Sequence, residues 1–257
     1  MKELMCAVVA TVCVAGFAEI TSSNIVGYSN QDKSGKQFVS LGSCFMNIGN
    51  DGQFKLSAIT LDGGDAASDN IQVLESTKAA VSAAYCYISA AQAADFGDAS
   101  YQGWWNLDMD TRMDDVSFPA GSAFLGNFGT KTVKPTFAGQ VLDGSVELDC
   151  TGKQFVMFAN PLPRDMKLGE LVANGGDAAS DNIQVLESTK AAVSAAYCYI
   201  SAAQAADFGD ASYQGWWNLD MDTRMDDVVV KPGEAFLANF GTKSVKLTFP
   251  QAIPAAQ

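Results

Sequence analysis

An internal repeat without a single change is the feature that most limits how this chain can fold. Residues 63–116 recur as residues 175–228. The likeness continues more weakly downstream, where 117–137 match 229–249 at 13 of 21 positions. A sequence present twice must form a similar unit in each copy, so we predict two related modules.

The limits of the modules come from a pentapeptide upstream of the block. Gly-Lys-Gln-Phe-Val occurs at 35–39 and again at 152–156. Each module then has about a hundred residues, an ordinary domain size. The predicted organisation is a signal peptide 1–18, an extended segment 19–34, a first module 35–137, a linker 138–151, a second module 152–249 and a C-terminal tail 250–257. We expect the modules to touch, because the linker is short and rich in turn residues.

Each module has the sequence pattern of an all-β protein. Short apolar runs alternate with Gly, Pro, Asp and Asn, which predicts about seven strands per module in a β-sandwich or small barrel. The alanine-rich stretch 75–96 is ambiguous. We predict a strand at 84–89 and a short helix near 90–95, repeated near 202–207, and one continuous helix is the alternative.

The N-terminus and the charge indicate where the protein works. Lys2 precedes an apolar run that ends in small residues at Ala18, which is typical of a secretory signal peptide. We expect a secreted product that is extracellular, at the cell surface or periplasmic. The net charge of −13 would repel phosphate backbones and anionic lipids. We therefore expect no nucleic acid partner, and no membrane partner once the signal is removed.

Histidine and cysteine usage narrows the chemistry. The absence of histidine removes the Ser-His-Asp and Cys-His arrangements and the commonest metal ligand. We predict a protein that is not an enzyme and has no cofactor, and a carboxylate-based glycosidase is the catalytic alternative. Cys44, Cys86, Cys150 and Cys198 follow the signal and allow three disulfide pairings. Buried free thiols at Cys86 and Cys198 are at least as good an interpretation.

A segment rich in Trp and Asp is the best candidate ligand-binding site. Its residues are Trp104, Trp105, Asn106, Asp108 and Asp110 in the first copy, and Trp216, Trp217, Asn218, Asp220 and Asp222 in the second. Adjacent residues of a strand point to opposite faces, so one Trp of each pair should fill the core and the other lie outside. An outer Trp beside carboxylates suits a sugar platform. The structural alternative, which we favour, is that this Trp packs on the other module or covers a sheet edge.

The same segment raises the question of a calcium site, since Ca²⁺ takes several carboxylate oxygens from one loop. The candidate ligands are Asp108, Asp110 and Asp114, and in the second copy Asp220, Asp222 and Asp226. The EF-hand pattern fails, because Arg112 and Met113 stand where a ligand and the invariant Gly belong. A looser site that includes Asp65 or Asp69 remains as an alternative to solvated turn residues.

Several short motifs carry a resemblance. They are SNIVGY at 23–28, DNIQ at 69–72, NPLP at 160–163 and PGEAF at 232–236. Through them the chain resembles a loose group of uncharacterised secreted bacterial proteins built from tandem β-rich modules. The resemblance implies a β architecture and export, and it adds no site residue.

Two functions fit these features. The first is a secreted structural or adhesive surface protein, a subunit of an extracellular assembly in which segment 19–34 adds as a strand to a neighbour's sheet edge. The second is a bivalent carbohydrate-binding protein whose two Trp/Asp segments hold one polysaccharide. The expected partners are therefore a further copy of the chain or a surface polysaccharide.

Overall fold

A computed structural model describes five stretches of the chain. They are residues 26–47, 52–76, 80–142, 144–186 and 193–251. The predicted signal peptide lies outside them, as do residues 19–25 of the extended segment and 252–257 of the tail. No helix in the described stretches is long and apolar enough to cross a membrane.

The first module is made of short strands and one short α-helix in its described part. Its strands are β1 (Val26–Asn30), β2 (Phe38–Gly42), β3 (Phe45–Met46), β4 (Gln53–Lys55), β5 (Ile59–Asp62), β6 (Asp69–Val73), β7 (Glu75–Ser76), β8 (Ala83–Ile88), β9 (Gly103–Asn106), β10 (Ser117–Pro119), β11 (Ala123–Phe128) and β12 (Lys134–Val141). Helix α1 (Ala90–Asp95) follows β8, and 3-10 turns lie at Leu56–Ala58 and Ala99–Tyr101.

Two antiparallel sheets enclose the core of this module. The larger sheet has the strand order β2-β11-β6-β8-β9. In the smaller sheet β12 pairs with β1, β3 and β5. Apolar side chains from both sheets meet between them, including the fully buried Trp104, Phe124 and Phe137. The module is a β-sandwich, so the all-β prediction is confirmed.

The second module repeats this arrangement. Its strands are β13 (Val146–Asp149), β14 (Phe155–Ala159), β15 (Met166–Lys167), β16 (Val172–Asn174), β17 (Asp181–Leu186), β18 (Val193–Ile200), β19 (Gly215–Asn218), β20 (Val229–Val230), β21 (Ala235–Phe240) and β22 (Lys246–Phe249). Helix α2 (Ala202–Asp207) follows β18, and 3-10 turns lie at Leu168–Glu170 and Ala211–Tyr213. The sheets have the orders β19-β18-β17-β21-β14-β7 and β13-β22-β16.

The short helices are where the sequence predicted them. Ser89 follows β8 and caps α1. Its hydroxyl oxygen accepts from the Gln92 backbone N–H at 3.3 Å, and the Gln92 side chain accepts from the Ser89 N–H at 3.2 Å. This reciprocal cap fixes the start of the helix. Ser201 and Gln204 form the same cap on α2. Because β8 covers Ala83–Ile88, the alternative of one continuous helix is wrong.

The modules extend beyond the limits that the pentapeptide suggested. Strand β1, from the predicted extended segment, pairs along its length with Thr136 to Gln140 of β12. Strand β13, from the predicted linker, pairs with β22 in the same way. The chain therefore passes from one module to the other between Val141 and Val146. The sequence hid this strand because residues 26–32 match residues 143–149 only at Gly27 and Asp32.

A strand of the first module joins the larger sheet of the second module. Strand β7 leaves the first module and pairs with β14, with Glu75 opposite Val156. The Leu74 carbonyl accepts from the Met157 N–H at 3.2 Å. The Lys153 ammonium forms an ion pair with Glu75. The expectation that the modules touch is met by a shared sheet.

Small residues allow the outer faces of the two larger sheets to approach closely. Ala123, Ala159 and Ala235 form a buried cluster at this contact. Gly42 lies opposite Ala159, where a Cβ added to Gly42 would stand 2.0 Å from the Ala159 Cβ. Gly42 and Ala159 occupy corresponding positions of the repeat, so this contact has room for a single methyl group.

We predict that Gly42→Ala destabilises the protein by about 1–3 kcal/mol, because the added methyl overpacks the contact. The double variant Gly42→Ala with Ala159→Gly should recover most of that loss, since it moves the methyl to the other strand. Urea unfolding followed by Trp fluorescence measures both effects. If the two changes were simply additive, this account of the contact would be wrong.

The four cysteines beyond the signal are buried free thiols. They are Cys44, Cys86, Cys150 and Cys198. Burial raises the pKa of the Cys44 thiol to about 11 and that of the Cys150 thiol to about 12. Cys86 and Cys198 pack beneath α1 and α2, and burial raises the pKa of both thiols. The free-thiol interpretation is confirmed for Cys86 and Cys198.

We predict slow alkylation of these thiols in the folded protein at pH 8. The raised pKa keeps the reactive thiolate scarce, and burial blocks the reagent. In denaturant the pKa returns to the ordinary thiol value, so all four should react rapidly. Iodoacetamide labelling of residues 19–257, counted by mass spectrometry with and without urea, tests this. Resistance to labelling in urea without reductant would instead reveal a disulfide.

Candidate functional site

The two tryptophans of each copy lie on opposite faces of the strand, as its geometry predicted. Trp104 on β9 is fully buried, and its ring N–H donates to the Ile59 carbonyl at 2.8 Å. Trp105 is half-buried on the other face. In the second module the Trp216 ring N–H donates to the Leu171 carbonyl at 2.7 Å. Trp104 and Trp216 are therefore core residues, and only Trp105 and Trp217 face outward.

The outward Trp105 is partly covered by its own module. Its ring N–H donates to the Tyr101 carbonyl at 2.7 Å, and the Tyr101 ring centroid is 5.8 Å away. The Arg112 guanidinium lies 5.7 Å from the Trp105 ring centroid, a cation–π distance. Trp105 also packs against the cluster beneath α1. It does not serve as a bare platform, and it packs on its own module rather than on the other one.

Arg112 fastens three parts of the block together. Its guanidinium donates to the carbonyls of Ser100, at 2.5 Å, and Gln102, at 2.6 Å. It also forms an ion pair with Asp114, whose second oxygen accepts from the Trp104 N–H at 2.8 Å. Bonds from a guanidinium to several acceptors in one plane are strong and directional. Arg112 therefore holds the 3-10 turn that carries Tyr101 against β9.

Asn106 and Asp110 shape the loop that follows β9. The Asn106 side-chain oxygen accepts from the N–H groups of Asp110 and Thr111 at 3.0 and 3.1 Å. Asp110 accepts from the Thr111 hydroxyl and the Asn106 amide, both at 2.7 Å. These two donors lower the pKa of Asp110, the hydroxyl first. Asn218, Asp222 and Thr223 repeat the arrangement. These predicted site residues act on the loop's own backbone.

The candidate calcium ligands are not brought together. Asp110 is held by Asn106 and Thr111, and Asp114 by Arg112 and Trp104. Asp108 is exposed and makes no hydrogen bond with any described residue. In the described stretches no group of three His, Cys, Asp or Glu side chains is arranged to hold a metal ion, and this covers Asp220, Asp222 and Asp226 as well.

The structure reveals an exposed apolar surface that the sequence interpretation missed. We call Phe96, Tyr101 and Met109 the aromatic patch of the first module. They are 56%, 42% and 40% exposed and line a shallow cavity of about 330 Å³ with Ile88 below. The Phe96 and Tyr101 rings meet edge to face with centroids 5.9 Å apart. The only sequence signal was large apolar residues within Gly- and Asp-rich turns.

The second module has the same aromatic patch, formed by Phe208, Tyr213 and Met221. Their exposed fractions are 56%, 40% and 40%, and the Phe208 and Tyr213 ring centroids are again 5.9 Å apart. Arg224 lies 5.8 Å from the Trp217 ring centroid. The repeated block thus builds the same surface in two different surroundings.

Comparison with known proteins gives no independent assignment of this surface: no family model, no curated protein and no solved structure matches the chain. Its function is therefore inferred from the described residues.

We predict that Arg112→Gln destabilises the first module by about 1–3 kcal/mol, because three acceptors of charged hydrogen bonds lose their donor. Lys55→Gln is the matched control. It removes one positive charge from the exposed Lys55–Asp115 pair, and exposed pairs contribute little. Urea unfolding compares the two variants. Equal losses would contradict the assignment of Arg112 as the clamp of the turn.

Proposed function

We propose that this protein is a bivalent adhesive that binds neutral carbohydrate on a surface through its two aromatic patches. The observation that carries this proposal is the pair of exposed aromatic patches, one in each module. Exposed apolar surfaces of this kind mark interaction sites in soluble proteins. Each chain has two of them because the block that builds them is present twice.

The chemistry of the patch suits a sugar ring. Aromatic rings such as Tyr101 and Phe96 stack on the C–H faces of sugars, and the cavity of about 330 Å³ is at the small end of ligand sites. The Asp108 carboxylate stands next to Met109 without an intramolecular partner among the described residues. Such a carboxylate accepts hydrogen bonds from sugar hydroxyls.

Trp105 and Arg112 support the patch rather than form it. Trp105 donates to the Tyr101 carbonyl, and Arg112 binds the turn on both sides of Tyr101. The Tyr101 backbone is therefore fixed before a ligand arrives. Fixing a binding residue in advance lowers the entropy cost of association. On this proposal, Trp105 and Trp217 are positioning residues.

Charge favours a neutral glycan over an acidic polymer or a second copy of the chain. Asp95, Asp98 and Asp108 are exposed beside the patch residues in sequence, and the chain carries a net charge of −13. Two such surfaces repel each other, and an acidic polysaccharide would be repelled as well. A neutral sugar avoids this cost.

The lowered pKa of Asp110 argues against its use as the general acid of a glycosidase, and this favours adhesion. A general acid at neutral pH needs a raised pKa. Hydrogen bonds from Thr111 and Asn106 lower the pKa of Asp110 instead. Its carboxylate is engaged in holding the loop.

Self-assembly is a second candidate function, and the exposed loop tip favours it. Leu107 is 51% exposed beside Met109, and Leu219 is 50% exposed beside Met221. Two apolar tips per chain could link copies into a linear assembly. Self-assembly by addition of segment 19–34 to a neighbour's sheet cannot use residues 26–30, because these already pair with β12 of their own chain.

A glycan array followed by titration of the best neutral glycan tests the proposal. Tyr101→Ala should weaken binding to a glycan-coated surface by about tenfold or more, because one of two contacts is lost. Adding Tyr213→Ala should abolish binding. Tyr28→Ala is the control, since Tyr28 is 74% exposed and lies outside the patches.

Two results would count against carbohydrate binding. One is an array without any bound glycan, and the other is binding that survives the double Tyr variant. Sedimentation velocity at increasing concentration distinguishes self-assembly. An oligomer that the double variant Leu107→Ala, Leu219→Ala dissociates would support the second candidate instead.

A further inference from the structure

The contact between the modules leaves two clefts at corresponding positions of the repeat. The larger cleft has a volume of about 640 Å³ and is lined by residues that include Lys33, Ser40 and Lys231. The smaller cleft has a volume of about 250 Å³ and includes Met157 and Pro119. The smaller one is narrowed by the pairing of β7 with β14. Strand β2, which corresponds to β14, is the edge strand of its own sheet.

The larger cleft is polar wherever the two clefts differ in side chain type. Three positions line both clefts and differ in this way: Gln31 corresponds to Leu148, Ser40 to Met157 and Lys231 to Pro119, while Glu234 corresponds to the polar Ser122. Lys33 corresponds to the buried Cys150. All of these positions lie outside the identical block. The flanking strands, not the block, have thus given one cleft its charge.

The two carboxylates of the larger cleft, Asp32 and Glu234, hydrogen-bond to backbone N–H groups rather than to the side chains of its lysines. Asp32 accepts from the Ser34 N–H at 2.9 Å, and Glu234 accepts from the Lys231 N–H at 2.9 Å. Neither carboxylate forms an ion pair with Lys33 or Lys231 in the described part of the chain. The cleft is lined by three lysines against these two carboxylates, so it has a small excess of positive charge in a chain of net charge −13.

Two groups in this cleft lack the partners that burial normally requires. Burial lowers the pKa of Lys33, the nearby positive charge of Lys36 lowers it further, and the negative charge of Glu234 opposes this shift. The Ser40 hydroxyl oxygen is buried and has no hydrogen-bond partner among the described residues. Unpaired buried charges and hydroxyls cost free energy. A bound anion would supply an acceptor for both groups.

We propose that Lys33, Lys231 and Ser40 form a binding site for a small oxyanion, a carboxylate or phosphate group, in the larger cleft between the modules. Ammonium groups bind such anions as point charges, and the serine hydroxyl donates one further hydrogen bond. The cavity is large enough for a monosaccharide-sized molecule that carries the anionic group. The smaller cleft, with Met157 and Pro119 at two of the corresponding positions, lacks these donors.

Isothermal titration calorimetry on the mature chain at low ionic strength tests the site. The probes are galacturonate, inorganic phosphate and, as the neutral comparison, galactose. At least one of the two anions should bind saturably, and added NaCl should weaken it by screening. Lys33→Gln and Lys231→Gln should each reduce the affinity about tenfold, because a charge-assisted contact is lost. Lys243 is exposed and does not line the cleft, so Lys243→Gln should leave the affinity unchanged.

The outcomes separate this site from the aromatic patches. Anion binding should persist in the Tyr101→Ala, Tyr213→Ala variant, and galactose should not compete for it. The proposal is overturned if neither anion saturates up to about 10 mM. It is equally overturned if Lys231→Gln binds as the parent does. Lys231 is exposed, so this variant remains informative even where Lys33→Gln fails to fold, which thermal unfolding would reveal.

Discussion

A buried carboxylate in each module holds the repeated block to the strands that flank it. Asp69 is 2% exposed and accepts from the Thr130 N–H at 3.0 Å and hydroxyl at 2.6 Å. Asp181 does the same with Thr242, at 2.9 and 2.6 Å. A buried carboxylate is tolerated only where such donors surround it. The strands that flank the block differ between the modules, but both sets contain this threonine. The same block sequence can therefore fold beside either set of flanking strands.

The two modules then give the block different neighbours. In the first copy Glu75 leaves its sheet, pairs with β14 and meets Lys153. The close contact of Gly42 with Ala159 shows the same asymmetry, since corresponding positions hold different residues where the modules meet. The block supplies what the modules share, which is the aromatic patch. The flanking strands supply what distinguishes them, which is the polarity of the two clefts.

Local signals in the sequence predicted the fold better than the site. The short helix was predictable because Ser89 and Gln92 cap it within four residues, and the opposed tryptophans because strand geometry requires it. Strand β1 was not, because the hydrogen bond between Asn30 and Thr136 spans 106 positions. The patch was missed for a different reason. Phe96, Tyr101 and Met109 come from a helix end, a turn and a loop, and tertiary contacts bring them together.

The acidic surface and the exposed patches depend on each other. An apolar surface repeated on one chain invites chains to associate, and the adhesive that we propose must avoid this before it meets its ligand. A net charge of −13 opposes that association at long range, while a neutral ligand is unaffected. The same charge would weaken capture of an anion everywhere except where lysines are gathered. Lys33 and Lys231 line the cleft at the contact between the modules, so under our proposal the charge that opposes association of copies also favours anion binding in the larger cleft.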